Sequence, residues 1–183
     1  MPTARYIDSL KNPRIPGFEW PEAEDMDDLN IFRSILEKGR MVFTNDARDG
    51  KQAHSYTVGF YLNFLHPEIV ILGVSNDLAV EGFGKVRTEA DSGKILKTGD
   101  ERADLFQLRY PVRFISIQDD LEKIDYLDHA AWFYRSLFFK MEPRIHHKFP
   151  VLQAVWADKN GFYPDDPRCD EAARRRQMLT PST

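Results

Sequence analysis

The spacing of apolar positions along this chain predicts three helices. In residues 25–38 and 120–139, apolar side chains recur every three or four positions, which is typical of the buried face of an amphipathic helix. A third helix is expected over about 77–90, where Ser75 or Asn76 can cap the first turn. The inward face of the first helix is predicted to carry Leu29, Phe32, Ile35 and Leu36.

Short β-type runs fill much of the chain between these helices. They cover residues 41–43, 55–61, 68–74, 110–117 and 151–156, with a shorter piece near 95–96. The run 68–74 is almost entirely apolar, which indicates a central strand covered on both faces. Several strands interrupted by helices predict an α+β fold: a single domain with a mostly antiparallel central sheet and two or three packed helices.

Composition separates the body of the chain from its two ends. Residues 1–23 contain four prolines, which favour an extended N-terminal arm over a helix, and Phe18 and Trp20 are expected to pin this arm to the body. The α+β domain is predicted over residues 24–165. Residues 166–183 are predicted to form a polar C-terminal tail.

The charge balance narrows the class of partner. The 183 residues include 29 acidic and 25 basic side chains, a net charge of −4, whereas proteins that neutralise nucleic-acid phosphates carry a basic surplus. We therefore expect a protein partner with a basic surface and no nucleic acid. The single cysteine excludes an intrachain disulfide, and no apolar run is long enough for a signal peptide or a bilayer span. A cytoplasmic protein without membrane contact is expected.

The triplet His66-Pro67-Glu68 is the strongest candidate for chemistry. A histidine and a carboxylate two positions apart can converge on a substrate, but a metal site needs three or four ligands and no further His-rich motif accompanies them. No metal or cofactor is therefore expected, and no catalytic residue is assigned. A rigid structural turn remains the alternative. The predicted ligand-binding set is Tyr56, Thr57, His66, Glu68, Gln153 and Trp156.

Aromatic residues surround the helix predicted over 120–139 instead of forming one stripe. Such a helix is either buried on both sides or presents one face to a partner, and the sequence leaves both possibilities open. The residues that follow it are basic and rich in histidine. The predicted partner-binding set is Trp132, Phe133, Phe139, Arg144, His146 and His147.

Several separate pieces of the chain, spread over residues 42–164, together resemble the bacterial domain-of-unknown-function family 4262. These pieces are Tyr56-Thr57-Val58-Gly59, His66-Pro67-Glu68 with the apolar run to Gly73, Tyr110-Pro111-Val112-Arg113-Phe114, the helix 126–134, and Phe149-Pro150-Val151-Leu152-Gln153 with Trp156, Asp158, Gly161 and Pro164. The chain departs from the family pattern in its longer N-terminal arm and in residues 135–148. The resemblance implies a small bacterial cytoplasmic protein, and it implies no particular activity, cofactor or substrate.

These observations lead to two expectations from different functional classes. The first is a non-catalytic protein-binding domain, of the kind that serves as an immunity-type or regulatory partner of another bacterial protein. The alternative is an enzyme or small-ligand-binding protein with a pocket around His66, Glu68 and Gln153. The acidic balance and the incomplete catalytic set favour the first.

Overall fold

A six-stranded sheet with helices on both faces forms the body of the protein. The structure, a computed structural model, describes residues 4–48, 50–118, 125–139, 149–177 and 179. Within these residues the strands are β1 (Met41–Asn45), β2 (His54–Val58), β3 (Glu68–Leu72), β4 (Glu101–Arg102), β5 (Val112–Ser116) and β6 (Val151–Trp156). The helices are α1 (Ala4–Lys11), α2 (Met26–Lys38), α3 (Phe60–Phe64), α4 (Asn76–Asp91), α5 (Asp128–Phe133), α6 (Ser136–Phe139) and α7 (Glu171–Arg175).

The strands lie in the order β1-β2-β3-β6-β5-β4. Only β3 and β6 run parallel, and the other neighbouring strands are antiparallel. The predicted α+β fold with a mostly antiparallel sheet is therefore confirmed. All residues of β3 are buried between β2 and β6, as its unbroken apolar run predicted.

The start and the end of α2 follow local capping rules. The Asp25 carboxylate accepts hydrogen bonds from the backbone N–H groups of Asp27 and Asp28, and Gly39 ends the helix at φ +81°. The predicted helix over 25–38 is confirmed. The prediction of its inward face was only partly right, because Ile35 is buried as expected whereas Leu29 is 44% exposed.

The prediction of an extended arm is wrong for residues 4–11, which form α1. The prolines of the N-terminal segment flank this helix and do not interrupt it. Tyr6 is fully buried and meets the Phe64 ring edge-on at 5.8 Å between centroids. The two predicted anchors are confirmed: Phe18 contacts Phe133 at 5.3 Å between centroids, and Trp20 contacts the same ring at 5.3 Å.

Three other element boundaries differ from the predictions. The β-type run 55–61 ends at Val58, because Gly59 turns the chain at φ +106° and α3 follows. The described part of the helix expected over 120–139 is divided into α5 and α6. The strand piece expected near 95–96 is absent from the described strands, which instead include β4.

The helix predicted over 77–90 is confirmed as α4 despite the two glycines in its interior, Gly82 and Gly84. A Cβ atom built on Gly82 would lie 2.1 Å from a ring carbon of Phe106, so the glycine allows this ring to pack directly on the helix backbone. At the other end of the chain, Gln177 is only 2% exposed, which shows that the polar tail is packed against the body up to this point. Within the described residues, no helix has both the length and the apolar character needed to cross a membrane.

Candidate functional site

His66 lies in the turn between α3 and β3, and both of its hydrogen bonds within the described part of the chain go to backbone groups. Its Nδ1 lies 2.6 Å from the Pro67 carbonyl oxygen, and its Nε2 accepts a hydrogen bond from the Leu96 N–H at 3.2 Å. These two contacts require a neutral ring with the proton on Nδ1. Burial favours the same state, because it lowers the pKa of His66. The side chain therefore ties the loop that follows α4 to this turn.

Glu68 is fully buried and receives four hydrogen bonds. Its Oε1 accepts from the Gly59 N–H at 2.9 Å, the Tyr61 N–H at 3.0 Å and the Tyr134 hydroxyl at 2.6 Å. Its Oε2 accepts from the Thr57 hydroxyl at 2.7 Å. One carboxyl group thus joins β3 to β2, to the first turn of α3 and to the end of α5.

The buried position of Glu68 affects its protonation. Burial raises the pKa of Glu68 to about 7, against the opposing effect of its hydrogen-bond donors. Three of the four donors point at Oε1, so a proton taken up by Glu68 would lie on Oε2 and would reverse the hydrogen bond that the Thr57 hydroxyl otherwise donates.

A pH-dependent stability follows from this pKa. In the folded protein the pKa of Glu68 is raised above its ordinary value of 4.5. The stability that protonated Glu68 contributes is therefore fully present below pH 4.5 and is lost as the pH rises through about 7. We expect the free energy of unfolding of the wild type, relative to that of Glu68→Gln, to fall by roughly 3 kcal/mol across this range. Urea unfolding of both proteins at a series of pH values measures this difference in the free energy of unfolding.

An exposed carboxylate provides the control for that series. Glu22→Gln, which also replaces a carboxylate by an amide but at an exposed position, is measured in the same series. A Glu68→Gln difference that stays constant, or that grows as the pH rises, would contradict a raised pKa and would mean that the four donors hold Glu68 ionised.

Gln153 and Trp156 on β6 hold the C-terminal segment. The Gln153 side-chain amide donates to the Gln177 carbonyl oxygen, and the Trp156 N–H donates to the Gln177 side-chain oxygen at 2.6 Å. The Trp156 indole donates to the Leu72 carbonyl oxygen at 3.0 Å. Sequence reasoning missed Gln177 because it placed this residue in a tail without contacts.

The predicted ligand-binding residues do not form one constellation. His66, Glu68 and Gln153 each bond to different partners, and no hydrogen bond joins any two of them in the described structure. His66 lines a small cleft of about 190 Å³ together with Glu89 and Arg102. The part of the chain that the structure describes contains no group of three residues suited to hold a metal ion.

Tyr56 and its neighbours lie beside a larger polar cleft of about 440 Å³. The Tyr56 hydroxyl donates to Asp128 Oδ1 at 2.6 Å and lies 3.0 Å from His129 Nδ1. Hydrogen bonding from His129 is the main cause that holds the pKa of Asp128 below its usual range. Lys51 lines this cleft but donates to the Asp125 carbonyl oxygen, so this basic group already serves to fasten the β1–β2 hairpin.

The predicted partner-binding residues separate into distinct environments. Phe133 is fully buried in the core, whereas Trp132 is half-buried and stacks on Phe32 with the rings 5.8 Å apart and nearly parallel. Phe139 ends α6. The other members of the set, Arg144, His146 and His147, lie outside the described residues.

An exposed apolar surface that the sequence did not predict begins at the first turn of α2. Met26 is 63% exposed and Leu29 is 44% exposed. Leu29 and Phe32 are neighbours on the helix because they are three residues apart, so the surface continues to the Phe32–Trp132 stack. We call Met26, Leu29, Phe32 and Trp132 the α2 face. Five acids surround its first turn: Glu22, Glu24, Asp25, Asp27 and Asp28.

Together the fold and its side-chain contacts define a single α+β domain. His66 and Glu68 of its conspicuous motif form hydrogen bonds within the fold. The model of the family described as "Domain of unknown function (DUF4262)" matches residues 34–170, and the protein belongs to this family, as the resemblance of its motifs indicated. The match includes every described strand of the sheet and leaves out α1, the first turns of α2 and α7. No curated protein and no solved structure matches the chain.

Proposed function

We propose that this protein is a non-catalytic protein-binding domain whose partner carries a basic surface with an apolar centre. The observation that supports this proposal most directly is the α2 face, where two well-exposed apolar side chains lie among five acids. Burying a side chain such as Met26 or Leu29 in an interface contributes about 1.5–3 kcal/mol. The surrounding acids add steering and specificity for a basic partner.

The aromatic end of the α2 face suits an interface anchor. Trp132 is held against Phe32 before any partner arrives, so little side-chain entropy is lost when it is covered. Tryptophan is also among the residues that most often dominate binding energy at protein interfaces. Of the partner-binding residues predicted from the sequence, Trp132 is therefore kept in the proposed interface.

The position of the α2 face relative to the family match also supports the proposal. Met26, Leu29 and Phe32 precede the matched residues 34–170, whereas Trp132 lies within them, so the exposed apolar part of the α2 face comes from the segment before the family match. A binding surface formed partly by residues that precede the family match fits a partner specific to this protein. We further propose that it acts in the cytoplasm of a bacterium as an immunity-type or regulatory partner.

The proposed function can be tested with the full-length protein as bait in an extract of its host. We expect wild type to retain a partner that Met26→Ser/Leu29→Ser loses by at least about tenfold, since each truncation removes buried apolar area. Val80→Ser on α4 is the matched control, because Val80 is 43% exposed but far from the acidic turn in sequence. Quantitative mass spectrometry of the retained proteins gives the measurement.

Raising the salt concentration provides the second arm of this experiment. The retained protein should be released more readily at high ionic strength, because screening weakens attraction between an acidic turn and a basic partner. Equal retention by the double variant and by wild type would count against the α2 face as the binding surface.

The alternative proposal, an enzyme or small-ligand-binding protein with a pocket around His66, Glu68 and Gln153, draws no support from the contacts of these residues. Each side chain already has hydrogen-bond partners within the fold.

A further inference from the structure

Two arginines lie side by side where α2 passes into β1. Arg40 directly follows Gly39, and its Nη2 would lie 3.7 Å from a Cβ atom built on Gly84 in α4. Arg87 is three residues beyond Gly84, so it projects from the same face of α4 one turn later. The two guanidinium groups therefore occupy one patch, in which Arg40 lies against α4 beside Gly84.

The hydrogen-bonding capacity of this pair is largely unused. Among the described residues, the Arg40 guanidinium has no hydrogen-bond or ion-pair partner, and its Nε is buried without an acceptor. The Nε of Arg87 is also buried and unpaired, although its Nη2 donates to the Tyr6 hydroxyl at 2.8 Å. Buried donors without acceptors are rare in proteins and call for an explanation.

The charge of Arg40 lacks a carboxylate partner in the described residues, although the Asp91 carboxylate lies 3.4 Å from the Tyr6 hydroxyl that Arg87 contacts. Burial, followed by the nearby charge of Arg87, lowers the pKa of Arg40. No carboxylate within the described residues forms an ion pair with Arg40, even though the whole chain carries a net charge of −4. A dianion placed between the two guanidinium groups would offset their repulsion.

We propose that Arg40 and Arg87 bind a phosphate group, either as inorganic phosphate or as part of a small phosphate monoester. Planar guanidinium groups form paired hydrogen bonds with the oxygens of phosphate, and two of them match its double negative charge. The Tyr6 hydroxyl, from α1, accepts a hydrogen bond from Arg87 Nη2 at 2.8 Å and so holds Arg87 in position. This site is independent of the α2 face and of the proposed protein partner.

Inorganic phosphate is the probe for a direct test on the full-length protein. We expect phosphate to raise the melting temperature and to give a measurable calorimetric binding isotherm, whereas chloride and acetate at the same ionic strength leave the melting temperature unchanged. Arg40→Gln should bind phosphate at least about tenfold more weakly, because charge-assisted hydrogen bonds are lost. Arg33→Gln, which removes an exposed cation from α2, is the matched control and should bind like wild type.

Stability without phosphate separates a binding role of Arg40 from a structural one. In phosphate-free buffer, Arg40→Gln should melt at the wild-type temperature or higher, because it removes one of two neighbouring like charges. A lower melting temperature would overturn the proposal, since it would show that Arg40 is paired within the fold. The proposal is also overturned if millimolar phosphate has no effect on wild type, if acetate acts as strongly as phosphate, or if Arg40→Gln keeps wild-type affinity.

Discussion

Replacing Glu68 with alanine is expected to lower the free energy of unfolding by about 3–5 kcal/mol. The Tyr61 N–H group and the Thr57 and Tyr134 hydroxyls lose their acceptor around this fully buried side chain, and the Gly59 N–H keeps only the Tyr134 hydroxyl at 3.2 Å. Each buried donor without an acceptor costs about 1–3 kcal/mol, and the missing side chain also leaves a cavity. Urea unfolding followed by circular dichroism measures the loss.

The isosteric substitution Glu68→Gln is the matched control for this loss. Its amide oxygen can keep the three donors that meet Oε1, and its amide nitrogen can donate to the Thr57 hydroxyl oxygen. We expect it to cost at least about 2 kcal/mol less than Glu68→Ala. Equal losses for the two substitutions would show that the shape of Glu68, and not its hydrogen bonding, stabilises the fold.

Phe133→Ala is expected to have an effect of similar size, about 3–5 kcal/mol. The Phe133 ring is fully buried and contacts Phe18 and Trp20, so its removal leaves a large cavity beneath the N-terminal segment. Trp132→Ala, at the next position, should cost only about 1–2 kcal/mol, because the half-buried indole already faces solvent in part. Chemical unfolding of both variants gives the comparison.

The two variants should show the opposite order in partner binding. Trp132→Ala should weaken retention of the proposed partner while the domain stays folded, since Trp132 belongs to the α2 face. Phe133→Ala, assayed below its melting temperature, should change retention less. If Trp132→Ala destabilises the fold as much as Phe133→Ala, the indole serves the core and the proposed interface loses its anchor.

The turn from His66 to Glu68 shows which properties of a conspicuous motif can be predicted from the sequence and which cannot. The motif correctly indicated the family, and the apolar run after it correctly predicted a central strand. Its side-chain roles could not be predicted in the same way. The partner of His66 is 30 residues away in sequence and the Tyr134 hydroxyl is 66 residues from Glu68, and neither separation leaves a local pattern.

The N-terminal segment shows a second limit. Closely spaced prolines predicted an extended arm, yet the residues between them form α1, because burial of Tyr6 against Phe64 stabilises a helix too short to persist alone. The arginine pair was equally hidden from sequence reasoning. Arg40 and Arg87 come together only when α4 packs near the start of β1.

For this protein, the sequence by itself determined what depends on neighbours along the chain. The cap of α4, the buried run of β3 and the family motifs all rest on contacts or periodicities within a few residues, and these were predicted. Only the tertiary structure decided which apolar residues face solvent and which polar groups meet. Leu29 is exposed and Glu68 is enclosed because of how the helices pack on the sheet, and that packing depends on residues far apart in sequence.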